Sequence, residues 1–228
     1  MSQKWRFLVE SMEFTKKNYV KCLDISTKIL TFATMNNMNS NLYTKKKVRL
    51  GEITNILSGI YIKGSPTGEI ACLQVKDLLM SSPETTASRI ERSPKLDSYM
   101  LRKGDILFAG KGTTYLCMMF DLDIPAVPST TLYSIRLQSD MVSPEYLCWY
   151  LNHPSVVAAI KTMQAGSGTP LIHKPALENL EVIIPDKKTQ RLIVDLSSMQ
   201  KREKEILEAI AEKRMQITNQ ILINELNK

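Results

Sequence analysis

The sequence predicts an α+β fold, in which a mixed α/β domain precedes one long C-terminal helix of the coiled-coil type. Strand-like and helix-like segments interleave from residue 42 to residue 187 without a repeated βαβ unit, which favours α+β over a doubly wound sheet. Residues 188–226 then contain neither proline nor glycine. We therefore predict three parts: an N-terminal helical extension with its linker at 1–41, the mixed domain at 42–187 and the long helix at 188–228.

Composition and charge narrow the classes of function. The chain has 228 residues, is 43% hydrophobic and carries a formal net charge of +7. Such a charge favours a polyanionic partner, because clustered Lys and Arg neutralise phosphates and release counterions. No apolar run approaches the ~20 residues that a membrane-spanning helix requires, and the N-terminus lacks the apolar core of a signal peptide. We expect a soluble cytoplasmic protein.

The cysteines and histidines give no sign of a metal site. Cys22, Cys72, Cys117 and Cys148 lie far apart, and the sequence has two histidines. No pair has the spacing of metal ligands, so we predict no metal and no cofactor. Each cysteine is interpreted as a small buried hydrophobe in a reducing compartment.

The N-terminal part has apolar residues at helical spacing in two places, which predicts two short amphipathic helices. They are Trp5, Leu8, Val9 and Met12, and then Cys22, Ile25, Ile29 and Phe32. An Asn-rich stretch at 35–41 is interpreted as a linker. The basic run of Lys45, Lys46 and Lys47 that follows is either a solvated linker or an auxiliary phosphate grip.

The main domain opens at Val48–Ile53 and continues with short strands separated by turns. The segments that are predicted as strands are Ile70–Val75, Ile106–Ala109, Thr130–Leu137 and Leu180–Ile184. The turn before the second of these contains Gly104, which can adopt a positive φ. These short strands account for the β part of the fold.

Two consecutive helices follow in the same domain. Ser143 supplies a hydroxyl N-cap and Pro144 the first helical residue of a helix that runs to about Leu151. A second helix is predicted over Val156–Met163. Tyr146, Trp149 and Tyr150 share one face of the first helix, which favours a core role for these rings over base stacking. 

The last part of the chain carries an apolar stripe with alternating spacings of three and four residues. Its members are Leu192, Leu196, Met199, Ile206, Ile210, Ile217 and Ile221, and Glu203 and Arg214 interrupt it. A helix of roughly 39 residues is about 60 Å long. It is either a core helix of the same domain or a coiled-coil seam, and its length favours the seam, because a lone helix cannot bury its own stripe.

Several segments, taken in their order, resemble the specificity subunit of type I restriction–modification systems. They are Val48–Ile53, Gln74–Leu78, Leu101–Leu107, Pro144–Leu151, Gly166–Thr169 and Leu180–Pro185, with Gln190 leading the long helix. The resemblance extends from Lys47 to the C-terminus, and the preceding segment does not match. A full-length member of that family has two such units, so this chain resembles a half-size specificity protein with a single target-recognition domain.

The resemblance implies that residues 42–187 bind double-stranded DNA in a sequence-specific manner. It also implies that the long helix docks methyltransferase subunits and pairs with a second copy, in a complex that can include a restriction subunit. S-adenosylmethionine and ATP would be bound by those partners, and this chain would have no catalytic residue. The sequence itself lacks a P-loop, a Rossmann fingerprint, HExxH and Gly-x-Ser-x-Gly. Two alternatives remain: a structural protein that assembles a complex through its helix, and the detached recognition part of a fused DNA methyltransferase.

Candidate DNA contacts combine cations, hydroxyls and an aromatic residue near turns, which are the groups that meet phosphates and base edges. They are Tyr61, Lys63, Lys111, Thr113, Thr114, Ser167, Thr169 and Lys174. Each has a bland alternative. Tyr61 and Lys63 can be a solvated hairpin tip, residues 110–114 a plain β-turn, and residues 166–170 a joint between a helix and a strand.

Overall fold

The computed structural model describes Lys16, Val20 and residues 46–65, 67–80, 82–112, 114–164 and 170–227. The chain divides into two compact units, one of Thr44–Arg191 and one that combines Met1–Tyr43 with Leu192–Lys228. The two short helices predicted before residue 41 lie outside the described residues.

Among the described residues, nine strands form three sheets. The strands are β1 Lys46–Arg49, β2 Thr54–Ser58, β3 Ile70–Leu73, β4 Ser88–Ile90, β5 Ile106–Ala109, β6 Cys117–Met119, β7 Ala126–Pro128, β8 Leu132–Leu137 and β9 Glu181–Ile184. Strand β1 pairs with β9, and the antiparallel sheet has the order β2-β8-β5-β6. The third sheet has the order β4-β3-β7, and β3 and β7 run parallel.

Short helices connect these strands and one long helix follows them. They are α1 Leu50–Ile53, α2 Val75–Leu78, α3 Pro83–Thr86, α4 Pro144–Asn152, α5 Pro154–Thr162, α6 Lys174–Glu178 and α7 Lys187–Leu226, with a 3-10 turn at Pro94–Tyr99. The α+β prediction and the long C-terminal helix are confirmed.

Local signals in the sequence placed several of these elements well. Strand β5 has the predicted bounds, and Gly104 has a φ of 87° in the turn before it. The Ser143 hydroxyl accepts a hydrogen bond from Tyr146 N at 3.2 Å, and Pro144 begins α4. Strand β3 is shorter than predicted because Gln74 starts a capping box with Asp77, whose carboxylate accepts from Gln74 N at 2.8 Å.

The interpretation of the basic run as a solvated linker is wrong for Lys46 and Lys47, its two described members. Lys46 and Lys47 begin β1, which pairs with β9, and Lys47 makes an exposed ion pair with Glu181 at 3.5 Å. The backbone pairing with a distant strand overrides the local charge. Lys45 lies outside the described residues.

Among the described residues of Thr44–Arg191, the buried Asp105 forms an ion pair with the half-buried Arg136. Asp105 is 2% exposed and accepts from Arg136 Nε at 2.8 Å, from Arg136 Nη2 at 2.5 Å and from the Arg102 backbone at 2.8 Å. Arg136 also donates to the Met100 carbonyl at 3.0 Å. The hydrogen bond to the Asp105 carboxylate raises the pKa of Arg136. The carboxylate therefore has three charged or backbone donors inside the fold, which offsets its burial.

The aromatic residues of α4 face the packed side of the unit. Tyr146 is buried and its hydroxyl donates to the Ile183 carbonyl at 2.7 Å, and burial raises its pKa to about 12. Tyr150 is half-buried and donates to the Glu181 carbonyl at 3.2 Å. Trp149 is half-buried, with its ring centroid 5.6 Å from that of Tyr146. These hydroxyls bind backbone groups of β9, which supports the core interpretation.

The first residues of α7 belong to Thr44–Arg191, and two side chains fix them within that unit. The Asp186 carboxylate accepts from Thr189 N at 3.0 Å and from Thr189 Oγ1 at 2.7 Å, which caps the helix and lowers the pKa of Asp186. Gln190 is 1% exposed and accepts from Ser143 N at 2.9 Å. Its amide donates to the carbonyls of Met141 at 2.7 Å and Pro185 at 2.8 Å. 

The predicted stripe of α7 is buried unevenly along the helix. Ile206 and Ile210 are buried, with 8% and 5% exposure, whereas Ile221 is 48% exposed. Leu192, Leu196, Met199 and Ile217 are half-buried. Charged residues on the helix form local pairs such as Lys204 with Glu208 at 3.7 Å. Within the described residues, no helix has the length and apolar character needed to cross a bilayer.

The described cysteines are free thiols inside the fold. Cys72 and Cys117 are buried and Cys148 is half-buried. Burial raises the pKa of Cys117 well above its ordinary value and that of Cys148 to about 11, so both thiols stay protonated at neutral pH. Cys22 lies outside the described residues. In the part of the chain that the structure describes, no group of three or more His, Cys, Asp or Glu residues is placed to hold a metal ion.

Candidate nucleic-acid interface

The two larger sheets end at a common place, the turn at residues 129–131. Ser58 pairs with Tyr133 and Ala109 pairs with Leu132, so β2 and β5 both end where β8 begins. The amide of Ser129 donates to the carbonyl of Leu73, the last residue of β3, at 2.8 Å. We call this edge the loop end. Its segments are 59–61, 74–87, 110–116, 129–131 and 170–174.

The first segment of the loop end begins with a glycine that has no room for a side chain. Gly59 N donates to the Leu132 carbonyl and Ile60 N to the Pro128 carbonyl, both at 2.9 Å. A Cβ at Gly59 would lie 2.0 Å from the Ser129 carbonyl oxygen, so the close approach to the turn requires glycine. This contact fixes the backbone two residues before Tyr61, and so the position from which the Tyr61 side chain projects.

Tyr61 and Lys63 alternate with two residues that pack into the core. Ile60 and Ile62 contact the cluster that contains Ile70, whereas Tyr61 is 82% exposed and Lys63 is exposed. The hairpin-tip alternative is wrong, because β2 and the next strand, β3, belong to different sheets. Tyr61 therefore lies at the loop end, and Lys63 lies farther along the segment, which leaves the loop end to reach β4.

Residues 110–116 of the loop end connect the antiparallel strands β5 and β6. Gly110 N donates to the Thr131 carbonyl at 3.2 Å, which ties this connection to the turn at 129–131. Lys111 and Thr114 are exposed, and Thr113 lies outside the described residues. A strand follows this segment, so it is not the start of a phosphate-binding helix of the kind that a P-loop requires.

Residues 170–174 are hydrogen-bonded directly to the segment 110–116. Gly112 N donates to the Pro170 carbonyl at 2.9 Å, and Ile172 N donates to the Gly110 carbonyl at 3.0 Å. Lys174 follows at the start of α6 and lies 3.5 Å from Glu178, which neutralises part of its charge. Ser167 and Thr169 lie outside the described residues.

Tyr133 holds the segments 110–116 and 170–174 together. Its hydroxyl donates to the Ile172 carbonyl at 2.8 Å, and its ring fills the space beside Gly110, where a Cβ would lie 2.2 Å from ring atom Cε2. Burial raises the pKa of the Tyr133 phenol, so it stays a hydrogen-bond donor at neutral pH. The sequence predicted a strand here but carried no signal for this role, because the partners are distant in the chain.

The charges at the loop end are unevenly paired. Neither Lys63 nor Lys111 has an ion pair with a described residue. By contrast, Lys103, at the opposite end of β5, lies 2.7 Å from Asp123. Exposed lysines without a carboxylate partner can neutralise phosphates, and neighbouring hydroxyl and aromatic groups can contact sugars and bases. The candidate contacts that the structure brings together are therefore Tyr61, Lys111, Thr114 and Lys174.

Comparison with known proteins gives consistent matches over most of the chain. The family model described as "Type I restriction modification DNA specificity domain" matches residues 43–228. The chain is 24% identical over 202 residues to the type I restriction enzyme MjaVIII specificity subunit of Methanocaldococcus jannaschii. That match covers 79% of this chain and 47% of the relative, so the chain spans about half the length of the curated protein that it matches.

Solved structures match at low sequence identity. The HsdS subunit from Thermoanaerobacter tengcongensis is 18% identical with a TM-score of 0.55, over 92% of this chain and 55% of that chain. The type I restriction–modification system S subunit from M. genitalium is 12% identical with a TM-score of 0.52, over 91% and 54%. A chain from a study of assembly and conformational transition of the type I R-M system is 18% identical with a TM-score of 0.59, over 94% and 54%. At these identities the matches show the fold.

Proposed function

Because the chain belongs to the family of type I restriction–modification DNA specificity domains, we propose that it reads a DNA sequence for a type I restriction–modification complex. In this proposal Thr44–Arg191 binds duplex DNA in the cytoplasm and contributes no catalytic residue. Methylation and cleavage, with their S-adenosylmethionine and ATP, belong to partner subunits. The family match over residues 43–228 is the observation that carries the proposal.

The loop end is the surface that we assign to DNA contact. It has an exposed lysine, Lys111, without an ion pair to a described residue, and the exposed Thr114 and Tyr61 lie at the same edge. Its segments are joined by backbone hydrogen bonds and by Tyr133, so the contact groups are held in a defined arrangement before DNA arrives. Pre-organisation of this kind reduces the entropy that is lost on binding. Thr113, Ser167 and Thr169 are proposed as further contacts from the sequence, and Lys63 as a contact beside the loop end.

The long helix is the surface that we assign to protein partners. Its distal apolar residues, including Ile221, are exposed, and the cost of leaving such residues in water favours their burial against another chain. We propose that α7 pairs with a second copy of this chain and also docks methyltransferase subunits. A pair of such chains would present two reading units to one DNA duplex.

Binding to DNA is tested by a salt titration with a random-sequence duplex and the full chain. We expect affinity to fall steeply as salt rises, because each neutralised phosphate releases a counterion. Lys111→Ala should weaken binding and lower the slope of log affinity against log salt by about one. Fluorescence anisotropy of a labelled duplex measures both quantities.

The matched control is Lys103→Ala, which removes the same charge at the opposite end of β5. It should leave both the affinity and the salt slope close to those of the unaltered chain. An unaltered chain that binds no duplex at low salt would contradict the DNA-reading function. Equal losses for the two lysine variants would instead mean that net charge, and not the loop end, governs binding.

A further inference from the structure

The excursion at residues 74–87 presents two adjacent apolar side chains to solvent. Leu79 is 62% exposed and Met80 is 51% exposed. Single exposed apolar residues are common on protein surfaces. Here two of them are adjacent, and no described residue covers them. The pair therefore needs an explanation in terms of what it contacts.

Hydrogen bonds hold this pair in a fixed position. Leu79 N donates to the Lys76 carbonyl at 3.3 Å and Met80 N to the Asp77 carbonyl at 3.1 Å. The Asp77 carboxylate, fully buried, accepts from Thr86 Oγ1 at 2.7 Å across the base of the excursion. With both sides of the excursion joined in this way, the two apolar side chains are kept away from the core.

The excursion belongs to the surface that we assign to DNA. It leaves β3 at Leu73, whose carbonyl accepts from Ser129 N, and the same turn accepts from Gly110 N, next to Lys111. Two backbone hydrogen bonds and one short turn thus connect Leu73, at the base of the excursion, to the cationic segment. This continuity favours DNA as the group that covers the pair.

Charge on the excursion points to the same partner. Lys76 is exposed, whereas Asp77 is buried and one carboxylate oxygen of Glu84 is enclosed. Glu84 as a whole is half-buried, so the Lys76 ammonium is the most exposed charge on the described part of the excursion. An exposed cation close in sequence to apolar side chains fits a DNA groove, where phosphates flank base edges.

We propose that Leu79 and Met80 form an apolar base-reading tip that contacts thymine 5-methyl groups in the major groove. This proposal rests on the proposed DNA-reading function and adds a contact chemistry to it. Thymine is the base that presents a methyl group in that groove, and apolar side chains recognise it by contact. The lysines of the loop end would supply affinity without regard to sequence, and the tip would contribute preference for A·T pairs.

The test compares Leu79→Ser/Met80→Ser with a control, Met141→Ser, in the full chain. Met141 is also exposed, at 39%, but it lies between β8 and α4, outside the loop end and outside the helix assigned to partners. The probes are a random-sequence duplex and the duplex that the unaltered chain selects from a randomised library. The tip variant should bind the selected duplex about tenfold more weakly or worse, with less than a twofold change on the random duplex.

A chemical readout separates thymine contact from a general disturbance of the loop. Replacing thymine by uracil in the selected duplex removes only the methyl group. At one or more positions this change should weaken binding by the unaltered chain and by the Met141→Ser control, and it should have no further effect on the tip variant. Selection with the tip variant should also lose preference at those positions.

The outcomes distinguish the two proposals. If the unaltered chain binds neither duplex, the DNA-reading function fails. If it binds, and the tip variant binds each duplex as tightly as the unaltered chain does, with the same uracil response, the tip proposal is overturned while DNA reading stands. A tip variant that keeps its DNA affinity but loses co-purification with a methyltransferase subunit also overturns it, because the pair is then a protein-docking surface.

Discussion

Thr44–Arg191 and the helix that follows it are ordered by different kinds of contact. In the first unit, side chains join segments far apart in sequence, such as Tyr133 with Ile172 and Arg136 with Asp105. Along 192–227, the side-chain hydrogen bonds between described residues join positions three or four apart, as between Lys213 and Gln216 at 3.0 Å. The side-chain hydrogen bonds of the first unit therefore depend on its tertiary structure, whereas those of the helix depend on local sequence.

This difference fits the two proposed roles. A reading surface has to hold several loops at fixed separations, because a misplaced contact group loses its base or phosphate. A docking helix has to present one continuous face, and local hydrogen bonds along it favour the helical state before a partner covers that face. Substitutions in the first unit should therefore cost more stability than similar substitutions in the helix.

The largest effect is expected for Arg136→Met. It leaves the Asp105 carboxylate buried without its two guanidinium hydrogen bonds, and breaking a buried ion pair from one side costs about 4 kcal/mol. Urea unfolding monitored by circular dichroism measures the change. Lys103→Met is the control, since its pair with Asp123 is exposed and should contribute at most about 0.5 kcal/mol. Equal losses would contradict the importance of burial.

A smaller loss is expected for Gln190→Ala, at about 2 kcal/mol. The substitution leaves the Ser143 amide and the carbonyls of Met141 and Pro185 without their partner inside the fold. Gln216→Ala, in the same helix, removes only exposed hydrogen bonds to near neighbours and should change the free energy of unfolding by less than about 0.5 kcal/mol. Thermal unfolding of both variants decides between local and long-range support. Similar unfolding midpoints for the two variants would contradict a greater contribution of the long-range hydrogen bonds to stability.

The smallest effect on stability is expected for Ile221→Glu, because this side chain is 48% exposed. Its free energy of unfolding should change by less than about 0.5 kcal/mol, yet it should dissociate a pair of chains by placing a charge in the seam. Sedimentation velocity measures the mass. Gln220→Glu, one position earlier, is the control and should leave the mass unchanged. A mass for Ile221→Glu that equals that of the unaltered chain would refute pairing through this face.

Burial in the structure also decides which residue can test pairing. Ile210 and Ile221 belong to the same predicted stripe, but Ile210 is 5% exposed within the chain itself. A charge at Ile210 would disturb the fold together with any interface. The sequence pattern treats the two positions alike, since periodicity reports which face a residue lies on and not what covers it.

Much of the fold was predictable, and less of the candidate site. Strand β5, the Ser143 cap and the long helix follow from local patterns that the structure confirms. The sequence predicted lysines and threonines near turns as DNA contacts. Lys63, Lys111 and Thr114 are exposed, and their role in DNA binding stays a prediction. The apolar pair Leu79 and Met80 was missed, because two apolar residues after a predicted strand are usually assigned to the core.

Several elements have a local cause and can be read from the chain alone. Helical periodicity, absence of proline and glycine, the hydroxyl cap and the positive-φ Gly104 each act within a few residues. The tertiary structure alone decided which loops meet, because strand order brings residues 59, 110, 129 and 172 together across gaps in sequence that no local pattern records. Tyr133 is the clearest case: its sequence neighbours predict a strand, and only the folded chain places its hydroxyl on Ile172 and its ring beside Gly110.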